Sequence, residues 1–148
     1  MDVMSMAVAD LIGRPYSGEA RTFDEKSREV DCYQLVREGL KRLRGVELPL
    51  TPEAALAWEP DDVDVREVRL GDAAPGDVVE MHMTDATGTR IVHVGLVVDG
   101  GGSGTGGGVG GGAACLRVLH ARKKHRSCLT SVATIVDSVR RVVRYEKK

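Results

Sequence analysis

Apolar residues recur at helical spacing in one stretch of the chain and at strand spacing in several others. Cys32, Leu35, Val36, Gly39, Leu40 and Leu43 fall on one face of a 3.6-residue repeat, while Arg37, Glu38, Lys41, Arg42 and Arg44 take the other. This predicts an amphipathic helix. Asp31, followed three positions later by Gln34, fits a capping box: the carboxylate accepts a first-turn N–H and the Gln side chain reaches back. Cys32 is then the first helical residue, and Gly45 stops the helix. A shorter helix is expected over residues 3–12, ending at Gly13, and another short segment over 52–58 with Thr51 as its cap.

Beyond residue 60 the pattern changes to that of a sheet. Residues 70–77 are rich in turn formers and lead into a strand over 78–83. The run Ile91-Val-His-Val-Gly-Leu-Val-Val98 is nearly continuous apolar sequence and reads as an interior strand buried on both faces. Residues 114–120 read as the next strand, and 132–143 as a strand, a helix or both. Between them, residues 100–112 form a glycine-rich hairpin tip with no capacity to pack and without the Lys-Ser/Thr of a phosphate loop. Helices first and an antiparallel sheet afterwards predict an α+β fold.

Each of the two central strands carries one histidine where an apolar residue is expected, and a buried ring needs a polar partner. Period-two alternation puts His93 on one face with Ile91, Gly95 and Val97, and Gly95 leaves room beside the ring. If Val98 pairs with Cys115 in an antiparallel hairpin, His93 falls directly opposite His120. A thiol at a helix start, where unpaired N–H groups favour a thiolate, followed by two imidazoles, reads as nucleophile, base and orienter. The plain alternative is a small buried cysteine and two satisfied core histidines. A metal site built from Cys32, His93, His120 and His82 or His125 is a further rival, although no CxxC or HExxH spacing supports it.

Composition narrows the partners. At 148 residues the chain suits one compact domain. A net charge of -1 gives no electrostatic case for nucleic acid, and one Trp and one Phe make no stacking platform for single strands. The C-terminal third is locally basic through Arg117, Arg122, Lys123, Lys124, Arg126, Arg140, Arg141 and Arg144, a solvated face or an attraction for an anionic polymer. Three cysteines are too few for a disulfide scaffold; Cys115 and Cys128 could pair with each other, but buried reduced thiols are the simpler reading. No run reaches the length of a membrane span. The first thirteen residues lack the basic start of a secretory signal, so synthesis in a cytosol is expected, with any action outside it needing delivery by a particle or partner.

The run Val30-Asp-Cys-Tyr-Gln-Leu-Val-Arg-Glu-Gly-Leu-Lys-Arg-Leu-Arg-Gly-Val-Glu-Leu-Pro49 resembles the nucleophile helix of the NlpC family, papain-like cysteine peptidases of bacterial cell walls. Its Gly-Val-Glu-Leu-Pro ending is similar to the bacteriophage tail-associated branch. Pro75-Gly-Asp-Val-Val79 resembles the family's strand entry, His93-Val-Gly-Leu-Val-Val98 its histidine strand and Val118-Leu-His-Ala121 the strand bearing its third polar residue, and Arg14-Pro-Tyr16 matches its upstream tyrosine segment.

The resemblance implies a papain-like fold with N-terminal helices packed on a central antiparallel sheet. It implies Cys32 as nucleophile, His93 as base and His120 as orienter, with Tyr16 beside the thiolate and Asp31, Tyr33 and Gln34 lining or supporting the site. No cofactor is implied. The expected substrate is a peptide of the peptidoglycan stem, and tail or delivery-particle proteins are the expected partners. Tyr33-Gln34 stands where the family has a small residue or Trp and then Gly, so Gln34 is expected to narrow the cleft or change preference. A catalytically idle structural or adaptor module with the same fold is the rival reading.

Overall fold

The computed structural model of the chain describes residues 6–14, 31–84, 88, 90–99, 116–121 and 127–148. Tyr16, the polar segment 19–29, the tip 100–112, Cys115, His125 and the basic residues 122–126 lie outside the described residues. The elements run α1 (Cys32–Arg44), α2 (Pro52–Leu56), β1 (Val63–Val68), β2 (Val78–Thr84), β3 (Arg90–Asp99), β4 (Arg117–His120), β5 (Cys128–Ser131), α3 (Val132–Ile135) and β6 (Val139–Lys147). The strands form one antiparallel sheet in the order β1-β6-β2-β3-β4-β5. The fold is α+β and papain-like, with β3 near the sheet centre and α1 packed chiefly on β3.

The helical stripe seen in the sequence is the buried one. Leu35, Val36 and Leu40 are fully or almost fully buried, and Leu40 joins Val46, Leu48, Val78 and Leu96 in one cluster. Gly39 lies on the same stripe, and a Cβ there would sit 2.4 Å from Leu96 Cδ2, so this glycine lets helix and strand close on each other. The sheet's other face carries a second cluster, in which Val79, Met81, Val97, Val118 and Val142 pack against Val132 and Ile135 of α3. Burial on both faces explains the nearly continuous apolar sequence of β3.

Several elements differ from the sequence expectation. Instead of a helix over 3–12, the described part has a helical turn at residues 6–7 and a 3-10 turn, Ala9–Leu11. The tighter turn stacks Val8 under Leu11, and both are fully buried. Residues 132–143 are both helix and strand: α3, a 3-10 turn and then β6. Thr51 caps α2 as expected, accepting from Ala54 N at 3.1 Å. The basic C-terminal cluster is partly neutralised, because Arg144 grips buried Asp77 with two 2.9 Å hydrogen bonds and Arg141 pairs with Glu80. Arg44 of α1 reaches the same Asp77 carboxylate at 3.4 Å, and Ala74 N donates to it at 2.8 Å. The Pro75-Gly-Asp77 motif is therefore a clamp that joins α1, the start of β2 and β6.

Candidate active site

Asp31 Oδ1 accepts from Gln34 N at 2.6 Å, so the N-cap forms and Cys32 opens the helix. The other half of the capping box does not form. Gln34 Nε2 donates instead to Leu50 O at 2.9 Å, and Oε1 has no hydrogen-bond partner among the described residues. Tyr33 OH donates to Pro49 O. These neighbours of Cys32 thus both fasten the 49–50 segment to the helix start, and Gln34, turned to Leu50 O through Nε2, leaves its Oε1 without the Asp31 N–H bond that a capping box needs.

The Cys32 thiol is half-buried, and burial pushes its pKa up. The Val94 backbone N–H acts against that shift, the Asp31 carboxylate adds to it, and the N–H groups of Tyr33 and Cys32 itself lower it further. The net direction is upward, contrary to the expectation that the helix start alone would favour a thiolate. The contact with Val94 places the sulfur against β3 at the residue after His93. The ladder between β3 and β4 begins only at Leu96, so β3 has no ladder partner on the β4 side at Val94.

The two histidines are brought together. His93 Nε2 lies 3.0 Å from His120 Nδ1, the rings are edge-on at 78°, and both residues are buried. They do not meet as direct cross-strand partners. Leu96 pairs with Leu119 and Val97 with Val118, whereas the assumed hairpin pairs Leu96 with Arg117. The displacement is even, so each side chain keeps its face, and the rings meet diagonally. Gly95 makes this possible: a Cβ there would lie 2.4 Å from Val118 Cγ1 and 3.3 Å from His120 Cβ.

Nothing in the pattern of apolar residues points to what stands behind His120. On β5, Thr130 Oγ1 lies 2.7 Å from His120 Nε2, and Cys128 Sγ lies 3.8 Å from the same nitrogen. Cys128 is exposed and not the buried thiol expected. β5 is only four residues of mixed polarity, which leaves no periodic signal to read. One residue before it, buried Ser127 accepts from Arg14 N at 2.8 Å and donates to Leu11 O, anchoring the chain just ahead of the segment that holds Tyr16. No three His, Cys, Asp or Glu side chains among the described residues form a group able to hold a metal ion.

No protein-family profile matches the chain, and no curated protein matches it. Solved structures do. An NLP/P60-family protein similar to lipoprotein from Staphylococcus aureus superposes with a TM-score of 0.62 at 17% identity, covering 100% of this chain and 43% of that one. NlpC2 from Trichomonas vaginalis gives 0.63 at 18% identity, covering 98% of this chain and 46% of that one. The NlpC/p60 domain of the peptidoglycan hydrolase SagA gives 0.58 at 15% identity, covering 95% of this chain and 94% of that domain. The chain has the NlpC/P60 fold. It spans less than half the length of the Staphylococcus and Trichomonas chains and nearly all of the SagA domain. Within the NlpC/P60 fold, the helix opening at Cys32 packs on the histidine strand. No helix among the described residues is long and apolar enough to cross a membrane.

Proposed function

We propose that this chain is a cysteine peptidase that hydrolyses an amide bond in peptidoglycan stem peptides. The observation that carries the reading is the buried His93–His120 pair, 3.0 Å apart, with His93 on a strand whose next residue, Val94, turns its N–H to the helix-start thiol. His93 Nε2 is engaged with His120, which leaves Nδ1 as the nitrogen to face sulfur. Cys32 Sγ gives its proton to His93 Nδ1 and attacks the carbonyl carbon, and the oxyanion that forms is stabilised by N–H groups at the helix start. Collapse of the tetrahedral species expels the amine, which takes the proton from His93. Water, deprotonated by His93, then cleaves the thioester and restores the thiol. His120 keeps the His93 ring oriented and supports its positive charge.

The peptidoglycan substrate is drawn from the fold's neighbours, one of which is described as a peptidoglycan hydrolase, and the amide bond from the resemblance of the Cys32 and His93 motifs to cysteine peptidases. The Gly45-Val-Glu-Leu-Pro49 ending supports assignment to the tail-associated branch, with delivery to the wall by a particle. The raised thiol and the Tyr33-Gln34 pair favour one competitor, an idle module with the same fold. Incubation with purified cell-wall fragments separates them. New free amines and shortened stem peptides, absent with Cys32→Ala, are expected; identical product profiles for the two proteins would contradict the peptidase.

A further inference from the structure

Donor and acceptor counting through the histidine pair reaches a residue beyond it. A His93 that accepts the thiol proton at Nδ1 carries its own proton on Nε2. That N–H points at His120 Nδ1, 3.0 Å away, which must then be a bare lone pair. A neutral imidazole with a bare Nδ1 is protonated at Nε2, and this nitrogen meets Thr130 Oγ1 at 2.7 Å. The hydroxyl can give or accept a proton, and the tautomer that His93 requires assigns it the acceptor's part; without it the buried Nε2–H is left with no good acceptor, which costs more than a bare lone pair there. Cys128 Sγ is farther, at 3.8 Å, and sulfur is a weak acceptor.

We propose that Thr130 is a positioning residue that holds His120 in its Nε2–H tautomer, so that His120 accepts from His93 and His93 can take a proton at Nδ1. The catalytic consequence rests on the peptidase reading, while the tautomer does not. Thr130 reaches the ring because β5 pairs with β4 in a register that sets Val118 opposite Thr130 and His120 opposite Cys128, which makes Thr130 a diagonal neighbour of His120. Without the hydroxyl, the Nδ1–H tautomer of His120 competes. It turns a donor toward His93 Nε2, forces the His93 proton onto Nδ1 and removes the lone pair that should receive the thiol proton.

The test uses the full chain with 15N-labelled imidazoles at about pH 8, where free histidine is neutral. In the wild type, His120 is expected to show a protonated Nε2 and a bare Nδ1. Thr130→Val should convert it to a tautomer mixture, while Thr130→Ser and Cys128→Ala keep the wild-type pattern. In turnover, Thr130→Val should lower kcat roughly five- to ten-fold with KM unchanged, the scale of one lost hydrogen bond, and Thr130→Ser should restore it. A wild-type His120 protonated at Nδ1, or a Thr130→Val spectrum like the wild type, would overturn the assignment. A wild type with no turnover would contradict the peptidase reading alone, since the ring spectra still decide the role of Thr130.

Discussion

Burial holds the Cys32 proton more tightly in the folded chain than in the unfolded one, and that difference has a consequence for stability. The raised folded pKa contributes stability that is fully present below the unfolded thiol value, about 8.5. The contribution is lost as pH rises through the folded value. In a His93→Ala background, where no imidazole can take the thiol proton, Cys32→Ala should therefore flatten the alkaline fall in the urea midpoint above about pH 8.5; parallel curves would contradict the burial argument. Gly95 is the second residue whose chemistry decides the site. Gly95→Ala must displace Val118, and overpacking of this kind costs about 1–3 kcal/mol. Because the His120 Cβ is also displaced, the variant should lose more activity than a core substitution of equal stability, read as kcat at matched folded fraction.

At the scale of elements, α1 was legible because its apolar stripe, cap and stop all agree. Its cap also sets the charge beside the Cys32 thiol. Asp31→Asn keeps a good N-cap acceptor while removing the carboxylate that raises the thiol. The expected result is a lower Cys32 pKa, seen as faster thiol alkylation at fixed pH, with stability changed by only a few tenths of a kcal/mol. An unchanged rate would remove Asp31 from the electrostatics of the site. The β3 strand was legible for a similar reason, since burial on both faces leaves a continuous apolar run. Its pairing was less so. Register depends on the hairpin geometry and on the irregularity between Val97 and Asp99, and neither shows in the pattern of apolar residues. β1 escaped because it is an edge strand whose Asp64, Arg66 and Glu67 are exposed, and the backbone pairing with β6 decides its structure.

Across the whole molecule, Asp77 links parts that are far apart in sequence. Its fully buried carboxylate receives Arg144 from β6 and Arg44 from α1. Removing one partner from a buried charge network leaves the others uncompensated, so Asp77→Ala should destabilise the fold by about 3–5 kcal/mol. A urea midpoint within error of the wild type would show the clamp to be dispensable. Pro75-Gly-Asp77 was visible as a motif, but its arginines come from positions 44 and 144, and only the folded chain joins them. The catalytic proposal makes the same kind of demand on the fold, bringing position 32 to positions 93 and 120. Competitive alkylation of Cys32, Cys115 and Cys128 at about pH 6, read by mass spectrometry, tests it most directly, because burial alone keeps the half-buried Cys32 a slowly reacting thiol there and only an imidazolium at His93 can reverse that and hold it as a thiolate. The account predicts that Cys32 reacts far faster than the other two and that His93→Ala abolishes the difference. Equal rates for all three thiols in the wild type, or a fast Cys32 that survives His93→Ala, would contradict it.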